Sequence, residues 1–132
     1  MVVKQFNVLY VEDEPFLGKT LERMFSEGGF AFSLALDGEE ALEKIRANKY
    51  DLVLLDILLP KLDGFEVLKR MKQIEDTKHI PVVVLSNLGS DADVSKSKEL
   101  GAQNHFIKVT MDPRKIVAYV RAFLEGPQRS DA

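Results

Sequence analysis

The chain has 132 residues, 45% of them hydrophobic and 30% charged, which is the size and balance of one globular domain with its own core. Its 18 basic and 21 acidic residues leave a net charge of −3, so it has no basic footprint of the kind that direct nucleic-acid binding needs. It contains no cysteine, which excludes a disulfide framework and a thiolate metal site and fits the reducing cytoplasm as its compartment.

The segment from Met1 to Val11 carries one lysine and a short apolar run ending in acids, unlike a signal peptide. No apolar run approaches the roughly 20 residues of a membrane span, so a soluble protein without a membrane partner is expected. Beyond it, short apolar runs alternate with longer segments of helical period, five times over, the pattern of a βα repeat. Asn7 to Val11 reads as the first strand. A helix follows from Pro15, burying Leu17, Leu21, Met24 and Phe25 and stopping at Gly28-Gly29. Phe30 to Ala35 is the second strand, and Asp37 caps a second helix whose first turn holds Glu39 and Glu40 and whose inward residues are Ala41, Leu42 and Ile45. Leu52 to Leu55 is the third strand. Asp63 caps the third helix, with Phe65, Leu68 and Met71 inward, and Pro81 to Leu85 is the fourth strand. The second, third and fourth strands are short or nearly all apolar, as expected of strands covered on both faces in a parallel sheet.

The fourth helix, Asp91 to Leu100, has only Val94 and Leu100 as large apolar residues, so its hold on the sheet is expected to be weak. Either it is a moving part, since segments with few buried contacts open at low cost, or it is simply an exposed helix. His105 to Ile107 is the fifth strand. Asp112 caps the last helix, with Pro113 at its first position and Ile116, Val120 and Phe123 inward. The domain is expected to span residues 1–125, and Gly126 to Ala132 reads as a polar tail or linker stub.

Successive strands end against Glu12-Asp13-Glu14, Asp56, Ser86-Asn87 and Lys108, and in an open α/β sheet that edge is where ligands bind. Asp56 follows the buried run Leu52 to Leu55 and meets Glu12 and Asp13 if the first and third strands are neighbours. At about 4 Å and an effective dielectric near 20, each such carboxylate pair repels by roughly 4 kcal/mol. A hard divalent cation offsets that repulsion, and an all-oxygen site suits Mg²⁺, with Mn²⁺ as a substitute. The set reads as a phosphoryl-transfer site with Asp56 as nucleophile, the cation and Lys108 holding charge on the phosphoryl oxygens, and the Ser86 hydroxyl donating to one of them. Taken singly, each residue has a plainer reading: Glu12 or Asp13 as a helix cap, Ser86 as a turn residue, Lys108 as a solvated amine. Their common position at one end of one sheet favours the joint reading.

In this order the residues resemble the receiver domain of two-component response regulators, over about residues 5–125. The resemblance is carried by Val8 to Pro15, by Asp51 to Asp56 with Pro60 and Asp63-Gly64, by Pro81 to Ser86, by Gly101-Ala102 and by Phe106-Ile107-Lys108. It implies a flavodoxin-like (βα)5 three-layer sandwich, a five-stranded parallel sheet of order 2-1-3-4-5 with two helices on one face and three on the other. It implies that Asp56 accepts phosphate from a phosphohistidine on a sensor histidine kinase or a histidine phosphotransfer protein. It further implies that Glu12, Asp13, Asp56 and the backbone carbonyl of Leu58 hold Mg²⁺, while Ser86 and Lys108 contact the phosphoryl group. The phosphate would draw Ser86 toward it, an aromatic three residues before the lysine would swing inward, and the surface of helix four, strand five and helix five would change for an unidentified downstream protein or output domain.

Two positions depart from the family. His105 stands where the swinging aromatic is expected, either as a flat rotor with added pH sensitivity or as an exposed strand-end histidine. Val109 follows Lys108 where the family has a proline after a cis bond; a non-proline cis bond costs about 3 kcal/mol, so a trans bond and an altered loop are expected. Leu58 and Leu88, two residues beyond Asp56 and Ser86, cannot orient an attacking water, which predicts slow hydrolysis of the phosphoryl-aspartate unless they only pack. Family members meet their donors around the start of the first helix, here Phe16, Leu17 and Lys19. The rival reading is a phosphorylation-independent pseudo-receiver, a protein-binding module that keeps the fold. A flavin carrier would want a Gly/Ser/Thr phosphate loop in place of Glu12-Asp13-Glu14-Pro15, and an aspartate-based phosphohydrolase would want an Asp-x-Asp there.

Overall fold

In the computed structural model, which describes residues 5–126, strands and helices alternate along the chain. They are β1 (Asn7–Val11), α1 (Pro15–Glu27), β2 (Ala31–Ala35), α2 (Gly38–Ala47), β3 (Leu52–Leu55), α3 (Gly64–Gln73), β4 (Val82–Ser86), α4 (Asp91–Glu99), β5 (Asn104–Ile107) and α5 (Pro113–Glu125). Phe30 and Pro81 lie just outside their strands, while Ser86 and Asn104 are drawn in. The expected tail lies outside the described residues beyond Gly126.

Every helix starts where a side chain satisfies an exposed first-turn N–H. Asp37, Asp63 and Asp112 accept from Glu40, Glu66 and Arg114 as the sequence predicts, and Glu14 and Ser90 do the same for Leu17 and Asp93. The half-buried Asp37 and Asp112 have carboxyl pKa values below the usual range, Asp37 first through the Glu40 N–H and Asp112 first through the Arg114 side chain.

The strands form a parallel sheet of order β2-β1-β3-β4-β5. Because side chains alternate along a strand, the sheet feeds two separate cores. Leu9, Val11, Val53 and Leu55 pack against Ala41, Leu42 and Ile45 of α2 and Val67, Leu68 and Met71 of α3, with Leu100 at the end of α4 joining them. Val8, Tyr10, Leu52, Leu54, Val83 and Leu85 pack on the other face against Leu21 and Phe25 of α1 and Ile116 and Val120 of α5. Fully burying a side chain of this size stabilises the fold by about 1.5–3 kcal/mol.

Several packing details differ from the sequence expectation. In α1, Leu21 and Phe25 are buried as expected, but Leu17 and Met24 are only half-buried. β2 is mostly half-buried, because its place at the edge gives it one neighbouring strand instead of two. In α3 it is Val67 that is buried with Leu68 and Met71, whereas Phe65 is half-exposed with the Lys96 ammonium 4.3 Å above its ring. In α4 the buried residue is Ser97, and Val94 is only half-buried.

The register decides where the strand ends meet. Val11 pairs with Leu55, so Glu12 and Asp56 leave adjacent strands side by side; the Asp56 N–H donates to the Val11 carbonyl at 3.1 Å. Ser86 pairs with Ile107, which brings Lys108 to the same edge. Among the described residues, no helix is long and apolar enough to cross a membrane.

Candidate functional site

Glu12, Asp13 and Asp56 each place a carboxylate oxygen within 4.8 Å of the others at the carboxyl edge of β1 and β3. Glu12 and Asp56 are buried and Asp13 is exposed, so the cluster opens to solvent on one side. Two buried carboxylates this close need positive charge, and Lys108 supplies it: its Nζ donates to Glu12 Oε1 at 2.7 Å and to Asp56 Oδ2 at 2.8 Å. Burial alone would lower the Lys108 pKa, but its hydrogen bonds to Asp56 and Glu12 and their negative charge outweigh it, and the pKa is raised above the ordinary lysine value.

Glu12 has two further donors. The Tyr10 hydroxyl donates to Oε1 at 2.8 Å from below, and the Glu14 N–H donates to Oε2 at 3.0 Å. Burial, with the Glu12 carboxylate next to it, pushes the Tyr10 phenol pKa far above its usual value, so the hydroxyl stays a donor. The three carboxylates offer only oxygen, with one of the three open to solvent, and that donor set fits a hard divalent cation.

Ser86 is fully buried at the end of β4, and its Oγ accepts the Leu88 N–H at 3.3 Å. That contact leaves the hydroxyl proton free to be given elsewhere. Leu58, whose N–H donates to Asp56 Oδ1 at 3.3 Å, and Leu88 border an opening of about 300 Å³ with Ile57, Leu59, Asp63 and Phe65. Gly64 is needed beside it by close approach, since a Cβ there would stand 2.2 Å from the Asp56 carbonyl oxygen. A second cleft, lined by Arg46, Lys49, Asp51, Glu75, Asp76 and His79 among others, lies at the opposite end of the sheet and touches none of these residues.

His105 is 9% exposed, which decides against a strand-end histidine in solvent. Its Nε2 is 2.7 Å from the Leu88 carbonyl and its Nδ1 is 2.8 Å from Ser97 Oγ. A carbonyl only accepts, so Nε2 carries a hydrogen; Ser97 Oγ also lies 3.0 Å from the Val94 carbonyl of its own helix, so its one proton is shared between that carbonyl and Nδ1. Among the described residues every peptide bond is trans, Lys108-Val109 included, and a 3₁₀ turn, Lys108–Thr110, makes the altered loop. The Val109 N–H, which a proline would lack, donates to Asn87 Oδ1 at 3.0 Å and ties this loop to the one after β4.

The family described as "Response regulator receiver domain" matches residues 8–121. This chain belongs to that family. A receiver domain is a phosphoacceptor signalling module of two-component systems rather than an enzyme, and the acidic site here is consistent with Mg²⁺-dependent aspartyl phosphorylation. This receiver domain is 38% identical over 123 residues to the "Probable transcriptional regulator ycf27" of Guillardia theta, covering 93% of this chain and 47% of that protein. It is 37% identical over 117 residues to the "Alkaline phosphatase synthesis transcriptional regulatory protein PhoP" of Bacillus subtilis, covering 89% and 48%. Among solved structures, the BeF3-activated N-terminal receiver domain of Klebsiella pneumoniae RstA superposes with a TM-score of 0.82 at 31% identity, covering 91% of this chain and 99% of that one. The chain thus spans about half the length of these two curated relatives.

The receiver domain brings together Glu12, Asp13, Asp56 and Lys108, with the Leu58 N–H on Asp56 and Ser86 buried at the end of β4 on the same sheet edge. His105 lies apart from the acids, tied to α4 and to the loop after β4. Sequence reasoning missed Tyr10 and Ser97, and it placed Asn87 at this edge without its bond to Val109. The parity of Tyr10 and Glu12, two apart at a strand end and so on one face, was the available signal.

Proposed function

We propose that Asp56 is the phosphoacceptor of this receiver domain, taking a phosphoryl group from a phosphohistidine on a sensor histidine kinase or a histidine phosphotransfer protein in the cytoplasm. The observation that carries the reading is the convergence of Asp56 with Glu12, Asp13 and Lys108 at one point of the sheet edge. Glu12, Asp13 and Asp56, with the Leu58 carbonyl, would hold Mg²⁺, or Mn²⁺ in its place, and the cation would supply positive charge toward the phosphoryl oxygens.

An Asp56 carboxylate oxygen attacks phosphorus; the new O–P bond forms as the N–P bond of the donor breaks, and the donor imidazole leaves with its electron pair and takes up a proton. Lys108 turns its ammonium from Asp56 Oδ2 to a phosphoryl oxygen, and the Ser86 hydroxyl donates to another. Drawing Ser86 toward the phosphate moves the loop after β4, which His105 grips through the Leu88 carbonyl. The change is read out on the α4, β5 and α5 surface by a protein partner or an output domain, and residues 1–125 form the working unit.

One observation favours a second reading. His105 is held inward by two hydrogen bonds that need no phosphate, as in a phosphorylation-independent protein-binding module whose surface is preset.

The test is intact-protein mass spectrometry after incubation with Mg²⁺ and acetyl phosphate or phosphoramidate. A phosphoryl increment that disappears in Asp56→Asn and without metal is the expected result. No increment, with these donors and with a panel of purified histidine kinases, would transfer the assignment to the preset module.

A further inference from the structure

We infer that Tyr10 is a positioning residue for the acidic pocket: its buried phenol keeps Glu12 aimed at the bound cation, both in the resting protein and after Lys108 turns away to the phosphoryl group. The inference rests on the phosphoacceptor reading above. Glu12 is 1% exposed, so its orientation is set by its hydrogen bonds and not by water. A carboxylate has about four lone-pair sites, two on each oxygen. On Oε1 they are taken by Tyr10 and Lys108, and on Oε2 the Glu14 N–H takes one. The remaining one belongs to Oε2, and it is the one left for a cation beside Asp13 and Asp56.

The two donors to Oε1 are not equivalent. Lys108 is shared with Asp56, and its side chain swings on four methylenes. Once Asp56 is phosphorylated, the Lys108 ammonium is drawn to the phosphoryl oxygens, and Glu12 loses that bond. Tyr10 cannot follow. Its ring is fully buried in the core of the α1 and α5 face, with Phe32 beside it at 6.4 Å between centroids. Its hydroxyl therefore continues to fill Oε1 and to hold the carboxylate plane in place. Partners of this kind, which orient a metal-binding carboxylate without touching the metal, commonly govern affinity for the ion.

A buried tyrosine also wants a hydrogen-bond partner for its own sake, and a hydroxyl serving only that need would affect folding stability and nothing else. The experiment separates the two. Tyr10→Phe and Tyr10→Leu both remove the hydroxyl, with different shapes, and Tyr119→Phe removes one from α5 as a control. Each protein is titrated with Mg²⁺ by calorimetry, and phosphorylation by acetyl phosphate is followed across a Mg²⁺ series. The expected result is a Mg²⁺ Kd raised roughly tenfold in both Tyr10 variants and unmoved in the control, with half-saturation in the phosphorylation series moving equally and the maximal rate within about twofold of wild type. Wild-type Mg²⁺ affinity in the variants would overturn the inference alone, as would a fallen maximal rate with unmoved half-saturation. A wild-type protein that binds no Mg²⁺ would overturn both this and the phosphoacceptor reading.

Discussion

Leu58 and Leu88, two residues beyond Asp56 and Ser86, border one opening together with Ile57, Leu59, Asp63 and Phe65. Water that hydrolyses an aspartyl phosphate must be held in line with the bond and relieved of a proton, and neither leucine offers an atom for either task. Leu58 is exposed enough, at 56%, that a polar side chain there costs little in folding. Leu58→Asn and Leu88→Glu are each expected to shorten the phosphoryl lifetime, by about tenfold or more if the new group activates water. Radioactive or mass-spectrometric decay of the phosphorylated protein measures it. Lifetimes equal to wild type in both variants would mean that the leucines only pack.

Among the elements, α4 is bound to the sheet in an unusual way. Its buried residue is a serine, whose Oγ lies 3.0 Å from the Val94 carbonyl of the same helix and 2.8 Å from His105 Nδ1 of β5. Through Nε2 the same imidazole reaches the Leu88 carbonyl, so one ring joins α4, β5 and the loop after β4. An aromatic rotor without ring nitrogens would have none of these ties. Ser97→Ala leaves a buried ring nitrogen without a partner, at a cost of about 1–3 kcal/mol. The expected outcome is a lower urea midpoint together with faster amide hydrogen exchange over α4 than over α3, read by mass spectrometry. Exchange in α4 unchanged from wild type would mean that the bond contributes nothing to holding the helix. The loop before α5 follows the same logic: an N–H that proline would have removed is used, by Asn87, to tie two loops that flank Lys108.

For the whole molecule, Lys108 couples the site to folding. It joins β5 to carboxylates that follow β1 and β3, 96 and 52 residues away in sequence, so the bond exists only when the sheet is assembled. Its pKa is raised in the folded state, meaning the folded protein holds that proton more tightly than the unfolded chain does. The stabilisation is therefore fully present below the ordinary lysine value of 10.5 and is lost as pH rises through the higher folded value. In a chelating buffer, the urea midpoint of the wild type is expected to exceed that of Lys108→Met by a constant amount from neutral pH upward, and the gap to close on the strongly alkaline side. A gap that does not narrow there would mean that the ammonium contributes no net stabilisation.

The kind and order of the elements were legible in the sequence because they rest on local patterns: period two against period 3.6, capping residues, and Gly or Pro at the breaks. The acids and the lysine could be assigned to one edge for the same reason, since each directly follows a strand in a parallel sheet. Contacts decided by register and neighbour order were not legible. The exposure of β2 depends on its having one neighbouring strand. The inward place of His105 depends on Ser97 and the Leu88 carbonyl, 8 and 17 residues away, being within reach of its two nitrogens. The sequence places Tyr10 in the first strand and assigns its hydroxyl no partner; only the depth at which Glu12 is buried makes that hydroxyl a partner of the acidic pocket. Periodicity says which face a side chain is on, and tertiary packing says which polar groups are buried together there and must satisfy one another.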